Sequence, residues 1–298
     1  MSVFGKDYGC KGEQRGMWRF HASNRETWAE YCRSASDLEK GSKNAIGGPI
    51  SQGIAGREGK TVRNLAIECA GMSPSVGLFE GPELLVAEQL PEQANSTRGL
   101  APLIESLLLS QSGQEKPVEA IYLNIGPGSF TSLRIGLTTA KSLAFAWDIP
   151  LVGIDTLEVL ASEGFTAAAS KAQGEEFCIV PVLNAFRKQV FYSVWRPDGE
   201  QFHCLQESCV ADASDWIRDP TLGKAEGSRM FVLGGGLCTY QPNANAHVTL
   251  LDTPAFDQQL RRIAQLGQQA FEQGNHVSAH GLLPNYVRAS AAEEKRRS

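Results

Sequence analysis

The sequence predicts an α/β protein of two lobes, each a mixed sheet flanked by helices. Three observations carry this. Dense apolar patterning occupies residues 62–290 and is absent from the stretch before them. Inside that region, turn-bounded apolar runs of strand length alternate with longer runs that are apolar at helical spacing. The order three strands, helix, strand, helix, strand is complete by residue 166, and a strand meander opens again after residue 176.

Taken in order, Asn64-Leu-Ala-Ile-Glu-Cys-Ala reads as a buried first strand ending in small residues. Ser75–Glu80 and Leu84–Gln89 follow, parted by the turn pair Gly81-Pro82. Ser96–Ser110 places Leu100, Leu103, Ile104, Leu107 and Leu108 at helical intervals. Val118–Ile125 is a fourth strand, Phe130–Trp147 a second helix, and Leu151–Ile154 a fifth strand leading into a helix at Thr156–Phe165. Ala167–Glu175, rich in Ala, Ser, Gly and Gln, suits a crossing between lobes. Phe177–Leu183, Gln189–Trp195 and Glu200–Glu207 repeat the meander, with Pro197-Asp-Gly as one turn. Met230–Leu233 and His247–Leu250 are short strands. Ala255–Gln273 is amphipathic, with Phe256, Leu260, Ile263, Leu266, Ala270 and Phe271 on one side. This order is that of an RNase-H-like sheet, the unit that actin-like ATPases (the ASKHA architecture) duplicate; the pattern by itself also admits other α/β layouts. The expected domains are an N-terminal lobe over 62–166, a C-terminal lobe over 176–290 and a charged tail over 291–298.

Residues 1–61 are dominated by glycine, serine and charge. Within them, Trp28, Tyr31, Cys32, Ala35 and Leu38 recur at helical spacing, with Ser23 or Asn24 placed to cap. A lone helix of this length is marginal in water. The segment is expected to be a disordered extension with one short helix; a start codon near Val62 is the other reading.

The formal net charge is -5, which gives no broad basic surface for nucleic acid, so RNA, if involved, is expected to be held mostly by another subunit. The seven cysteines, Cys10, Cys32, Cys69, Cys178, Cys204, Cys209 and Cys238, are odd in number and lack CxxC spacing, which favours free thiols over a disulfide framework or a zinc site. No apolar run reaches the roughly 18 residues of a membrane span, and Met1–Arg15 has no apolar leader core. A cytoplasmic location is expected.

The most informative stretch is Gly126-Pro-Gly-Ser-Phe-Thr-Ser-Leu-Arg-Ile-Gly. It is a strand end, a glycine turn and a helix start. Gly126 and Gly128 permit unusual backbone angles, Pro127 stiffens the turn, and Ser129 or Thr131 can cap the helix. The amides there could hold an anion, or the turn could simply be a well-capped helix start.

As a whole, this stretch resembles the GPGSFTGxRIG signature of the TsaB (YeaZ) family, with Gly126, Pro127, Gly128, Ser129, Phe130, Thr131 and Arg134 in the matching places. Other segments resemble that family in the same order. They are Leu65-Ala-Ile-Glu-Cys-Ala, Ser96-Thr-Arg-Gly-Leu-Ala-Pro-Leu-Ile, Ile149-Pro-Leu-Val-Gly-Ile-Asp-Thr-Leu, Asn184-Ala-Phe-Arg-Lys-Gln-Val-Phe-Tyr and Leu283-Pro-Asn-Tyr-Val-Arg. The chain departs from the pattern at Glu68 and Asn184, where Asp is usual, at Asn95, where His is usual, and at Ser132, where Gly is usual, with Phe186 inserted in the hairpin motif. These departures suit a scaffold better than an enzyme.

The resemblance implies a non-catalytic, activating subunit of the complex that places threonylcarbamoyl on the tRNA adenosine next to the anticodon. It implies a heterodimer with the catalytic paralogue TsaD, contact with TsaE and tRNA through the complex, and a homodimer when the chain is alone. No cofactor is expected on this chain, ATP and metal belonging to partner subunits. In the family, the helices matching Ser96–Ser110 and Phe130–Trp147 pack against TsaD, so Leu100, Ile104, Leu107, Leu133, Gly136, Ala140 and Leu143 are the expected partner interface. Half of such a stripe is needed simply to cover a sheet.

Two enzyme readings stand as alternatives. A glycoprotease-like metallopeptidase of the TsaD type would carry HxxxH on the helix at Ser96–Ser110, which contains no histidine. His276 and His280 have i, i+4 spacing, but Gly274, Gly281 and Pro284 make a helix there doubtful, so no metal site is assigned. A small-molecule kinase of the actin-like class needs an Asp-x-Gly turn after strand one; here the turn is Glu68-Cys-Ala-Gly-Met-Ser. Gly234, Gly235 and Gly236 resemble that class's adenosine motif and are candidate nucleotide contacts, or else a strand ending in a tight turn.

Overall fold

The computed structural model describes residues 62–71, 73–91, 96–110, 118–198, 201–225 and 227–288. The expectations for the extension over 1–61 and the tail over 291–298 lie outside the described residues.

The first sheet contains β1 (Arg63–Glu68), β2 (Ser75–Glu80), β3 (Glu83–Gln89), β4 (Ala120–Gly126) and β5 (Leu151–Asp155) in the order β3-β2-β1-β4-β5. The second contains β6 (Phe177–Phe186), β7 (Gln189–Asp198), β8 (Gln201–Asp212), β9 (Arg229–Leu233) and β10 (Val248–Leu250) in the order β10-β9-β6-β7-β8. Read from the other edge, the second order is the first one repeated. In each sheet the first three strands form an antiparallel meander and the last two run parallel to the first. The fold is the duplicated RNase-H-like plan of actin-like proteins.

The helices among the described residues are α1 (Ser96–Ser110), α2 (Phe130–Trp147), α3 (Thr156–Ala172), α4 (Ala213–Arg218) and α5 (Phe256–Glu272). The positions filled by α1 and α2 in the first lobe are reduced in the second to the six-residue α4 and a single 3-10 turn, Gly235–Cys238.

Strand alternation sorts the first lobe's core into two layers. Leu65, Ile67, Val76, Leu78, Ile121 and Leu123 face α1 and α2. Ala66, Phe79, Tyr122 and Val152 face Leu260, Ile263 and Ala264 of α5. The amphipathic helix α5 therefore lies on the first sheet, although it follows the strands of the second. Its counterpart α3 follows the first sheet and packs mainly on the second, where Ala161, Ala168 and Ala172 meet Ile179, Phe231 and Leu233. The two crossing helices also pack on each other. Lobe limits at 166 and 176 mark the strand sets but not the helices, which are exchanged.

The structure corrects the reading of Ala167–Glu175 as a linker. It is helix through Ala172, because alanine is the best helix former and Ala168 and Ala172 are buried on the second sheet. The five described cysteines, Cys69, Cys178, Cys204, Cys209 and Cys238, are free. Among the described residues no helix is long and apolar enough to cross a membrane.

Candidate functional site

Strands β1, β4 and β5 run parallel, so their carboxyl ends lie together and bring Glu68, Gly126 and Asp155 to one edge. In open α/β sheets this edge is where ligands bind.

The signature turn closes β4 and docks on the end of β1. Gly126 has φ 118°, and a Cβ there would sit 2.7 Å from the Asn285 carbonyl oxygen, so only glycine fits. The Gly126–Pro127 peptide is cis. Gly128 lies against Ala70, where a Cβ would come within 2.6 Å. Ser129 occupies the N-cap of α2, but its hydroxyl makes no cap bond and its N–H donates to the Ala70 carbonyl at 2.8 Å. That amide is therefore engaged and not left for an anion. Thr131 is exposed at the outer side of the first turn.

Glu68 is buried at the end of β1. Its Oε1 accepts from Ala70 N at 2.8 Å, Gly71 N at 3.1 Å and Asn124 Nδ2 at 3.0 Å. Asn124 Oδ1 in turn accepts from Cys69 N at 2.9 Å. Burial pushes the Glu68 carboxyl above the usual range, and these donors only partly oppose it. The carboxylate is thus a brace for its own turn.

Asp155 is the second acid at this edge, and sequence reasoning did not single it out. Its Oδ1 caps α3 by accepting from Leu157 N at 2.8 Å and Glu158 N at 3.2 Å. Its Oδ2 accepts from Ser208 Oγ at 2.8 Å and Asn285 Nδ2 at 2.9 Å. One carboxylate therefore joins β5, the edge strand β8 of the second lobe and the C-terminal segment. Burial raises its pKa, with the four donors acting against that rise. An Asp before a predicted helix is a readable cap; partners 53 and 130 positions away are not.

In the second lobe, Gly234 has φ 116° and lies against the Val182 carbonyl, and a Cβ on Gly236 would meet Val182 Cγ2 at 2.8 Å. Both glycines are explained by the close approach of this turn to β6. Gly235 alone faces open space. The tight-turn reading accounts for two of the three candidate nucleotide contacts.

The expected partner interface needs the larger correction. Leu100, Ile104 and Leu107 of α1 and Leu133, Gly136 and Ala140 of α2 are all buried within this chain. A Cβ on Gly136 would lie 2.5 Å from Cys69 Sγ, so this small-residue stripe seats α2 on the sheet. Only Leu143 is half-buried. Apolar periodicity marks a packed face and does not say what packs on it. The outer faces instead present Ala101, Pro102, Glu105 and Leu109 of α1 and Thr138 and Ser142 of α2.

Arg134 is exposed on α2. Its Cζ stands 3.9 Å from the Phe130 ring centroid, and its Nε donates to Tyr286 Oη at 3.0 Å. Phe130 and Tyr286 are 4.9 Å apart between centroids. The signature turn and the closing motif are thereby joined.

His276 and His280 are not on a helix. Val277 between them bridges to Leu151, and the two imidazoles rest on different rings, Phe271 and Phe145. Among the described residues, no three His, Cys, Asp or Glu side chains converge as metal ligands.

Comparison with known proteins gives a consistent picture. The family described as "TsaD: tRNA N6-adenosine threonylcarbamoyltransferase" matches residues 90–295. The tRNA threonylcarbamoyladenosine biosynthesis protein TsaB of Bacillus subtilis (strain 168) is 26% identical over 244 residues, 78% of this chain and 96% of that one. The TsaB proteins of Haemophilus influenzae and of Escherichia coli (strain K12) are 26% and 23% identical, each across 78% of this chain and 95% and 98% of their own. Among solved structures, YeaZ from Pseudomonas aeruginosa superposes with a TM-score of 0.59 at 20% identity, over 76% of this chain and 99% of that one.

Proposed function

Since the chain belongs to the TsaD-type tRNA N6-adenosine threonylcarbamoyltransferase family and, within it, to the TsaB (YeaZ) group, we propose that it is the non-catalytic subunit that binds and activates a TsaD-type partner. A part in tRNA threonylcarbamoyladenosine formation follows from membership; the division of labour is the proposal. In it, this cytoplasmic chain needs no cofactor of its own, ATP and metal are held by partner subunits, and TsaE and tRNA join through the complex. A homodimer forms when the partner is missing.

The observation that carries this reading is the state of Glu68. The acid at the end of β1, where a catalytic member of such a fold would present a ligand group, is buried and held by two amides of its own turn and the side chain of Asn124. Exposed residues mark the docking face. Ala101, Pro102, Glu105, Thr138 and Ser142 are exposed on α1 and α2, and Leu109 is 64% exposed at the end of α1. An apolar side chain of that exposure gains stability when a partner covers it.

The test is reconstitution with the partner from the same cell, omitting each subunit in turn. Transfer of threonylcarbamoyl to tRNA is expected only with both present. Leu109→Arg is expected to stay folded and to lose both association and transfer. Turnover by this chain alone would overturn the proposal, as would full association of the folded variant.

A further inference from the structure

The helix α2 has two flanks with different surroundings. Successive residues advance by about 100° around the axis. Ile135, Thr139 and Leu143 therefore lie on one flank, and Phe130, Arg134, Lys141 and Phe145 on the other. Along that second flank runs the C-terminal segment, which bridges to the edge strand β5 through Val277 and Leu151. His280 of this segment meets Phe145 at 5.6 Å between centroids, and Tyr286 meets Phe130 and Arg134.

Arg134 differs from the other well-placed arginines of the molecule. Arg288 uses its Nη1 on the Ala185 carbonyl and Gln189 Oε1, and Arg262 pairs with Glu163 at 2.7 Å. Arg134 spends only Nε, on a tyrosine hydroxyl, while its plane is stacked on Phe130. Its two terminal nitrogens have no hydrogen-bond acceptor among the described residues, and no carboxylate pairs with the guanidinium. Lys141 likewise makes no ion pair among the described residues. On a chain of net charge -5, these two cations share one flank and have no ion-pair partner among the described residues. Beside them stand rings that water still reaches, Phe145 at 70% and Tyr286 at 40% exposure, with Leu283 at 70%.

A guanidinium already immobilised by stacking and one hydrogen bond presents its free fork at little further entropic cost, and that fork matches a phosphate. Exposed rings next to it give bases a surface to stack on. We propose that this flank is an RNA-contact surface carried by the chain itself, with Arg134 gripping a backbone phosphate of the tRNA and Lys141 and Tyr286 beside it. The inference rests on the tRNA reading above and adds a direct contact to it. An acidic protein segment would satisfy the cations but would leave the ring faces without a role.

The test uses the full chain, alone and co-purified with its TsaD-type partner, against an in vitro tRNA transcript. Arg134→Gln is expected to weaken tRNA binding about tenfold, as for one lost charge-assisted contact, and to lower the salt slope of log affinity by about 1. Arg134→Lys is expected to keep the salt slope and recover part of the affinity. Lys141→Gln, which leaves the Phe130–Arg134–Tyr286 contacts in place, gives an independent reading if Arg134→Gln loosens the C-terminal segment. Unchanged affinity and slope in both glutamine variants would overturn the proposal. So would a loss confined to association with the protein partner, which would make the flank a protein-docking surface. Partner association is read separately by size-exclusion chromatography, so failure of the subunit assignment shows there and failure of the RNA contact shows here.

Discussion

Asn285 donates its side-chain amide to Asp155 Oδ2 at 2.9 Å across 130 positions of sequence, while its backbone N–H donates to the Ile125 carbonyl at 2.8 Å. The C-terminal segment is thereby fixed to the ends of both β4 and β5, and the same carboxylate reaches the second lobe through Ser208. Removing it would orphan four donors at once. Asp155→Ala is expected to cost about 2–4 kcal/mol, because the unmatched, part-buried donors each carry a desolvation penalty. Urea unfolding measured on the full chain checks this.

The same residue sets a pH dependence. Burial raises the Asp155 carboxyl above its ordinary value, so in the interval between the unfolded and folded values the folded chain binds more protons. Stability contributed here is therefore greatest below the unfolded value and is lost as pH rises through the folded one. Glu68 and Glu158 are shifted in the same direction, first by burial. Asp155→Asn is expected to flatten the decline in unfolding free energy from about pH 4 toward neutrality relative to the parent. An equal decline in both proteins would show that Asp155 titrates normally.

Ala140 has 0% exposure and lies among the core residues between α2 and the sheet. Ala140→Arg is therefore expected to abolish the cooperative thermal transition, since it overpacks the layer and buries an unpaired charge. A folded variant that merely loses its partner would contradict the packing described above.

The glycine turn after β9 separates two kinds of glycine. Gly234→Ala places a methyl against the Val182 carbonyl at a left-handed φ and is expected to lose about 2 kcal/mol or more. Gly235→Ala meets nothing and is expected to change stability by less than about 0.5 kcal/mol. Comparing the two urea midpoints tests whether packing, and not a ligand, explains the turn.

Much of the fold was legible because local patterns decide it. Phe130–Trp147 was readable to the residue, since Asp148 ends the helix in the left-handed conformation just where the apolar spacing stops. The hairpins were equally plain, from Gly81-Pro82 and the alternation of Gln189–Trp195. What stayed hidden is non-local. Leu260 and Ile263 announce a packed face on α5 but not that the first sheet receives it. Ala168 and Ala172 look like linker composition until a sheet is laid on them. At the site, Arg134 stands out within the signature, but its partner Tyr286 lies 152 positions on. The stripe of Gly136 and Ala140 was readable as close packing, and its target was not.

The placement of α5 has a consequence for how the chain is made. Tyr122, Val152 and Phe79 expose their layer of the first sheet until residues 256–272 arrive to cover it. During synthesis from the N-terminus, all five strands of that sheet emerge long before their lid does. The first lobe then carries a bare apolar face through the translation of the whole second lobe, a species prone to aggregate or to engage a chaperone. A transcript truncated before codon 256 should therefore yield a sticky, incomplete product and not an independently folded lobe.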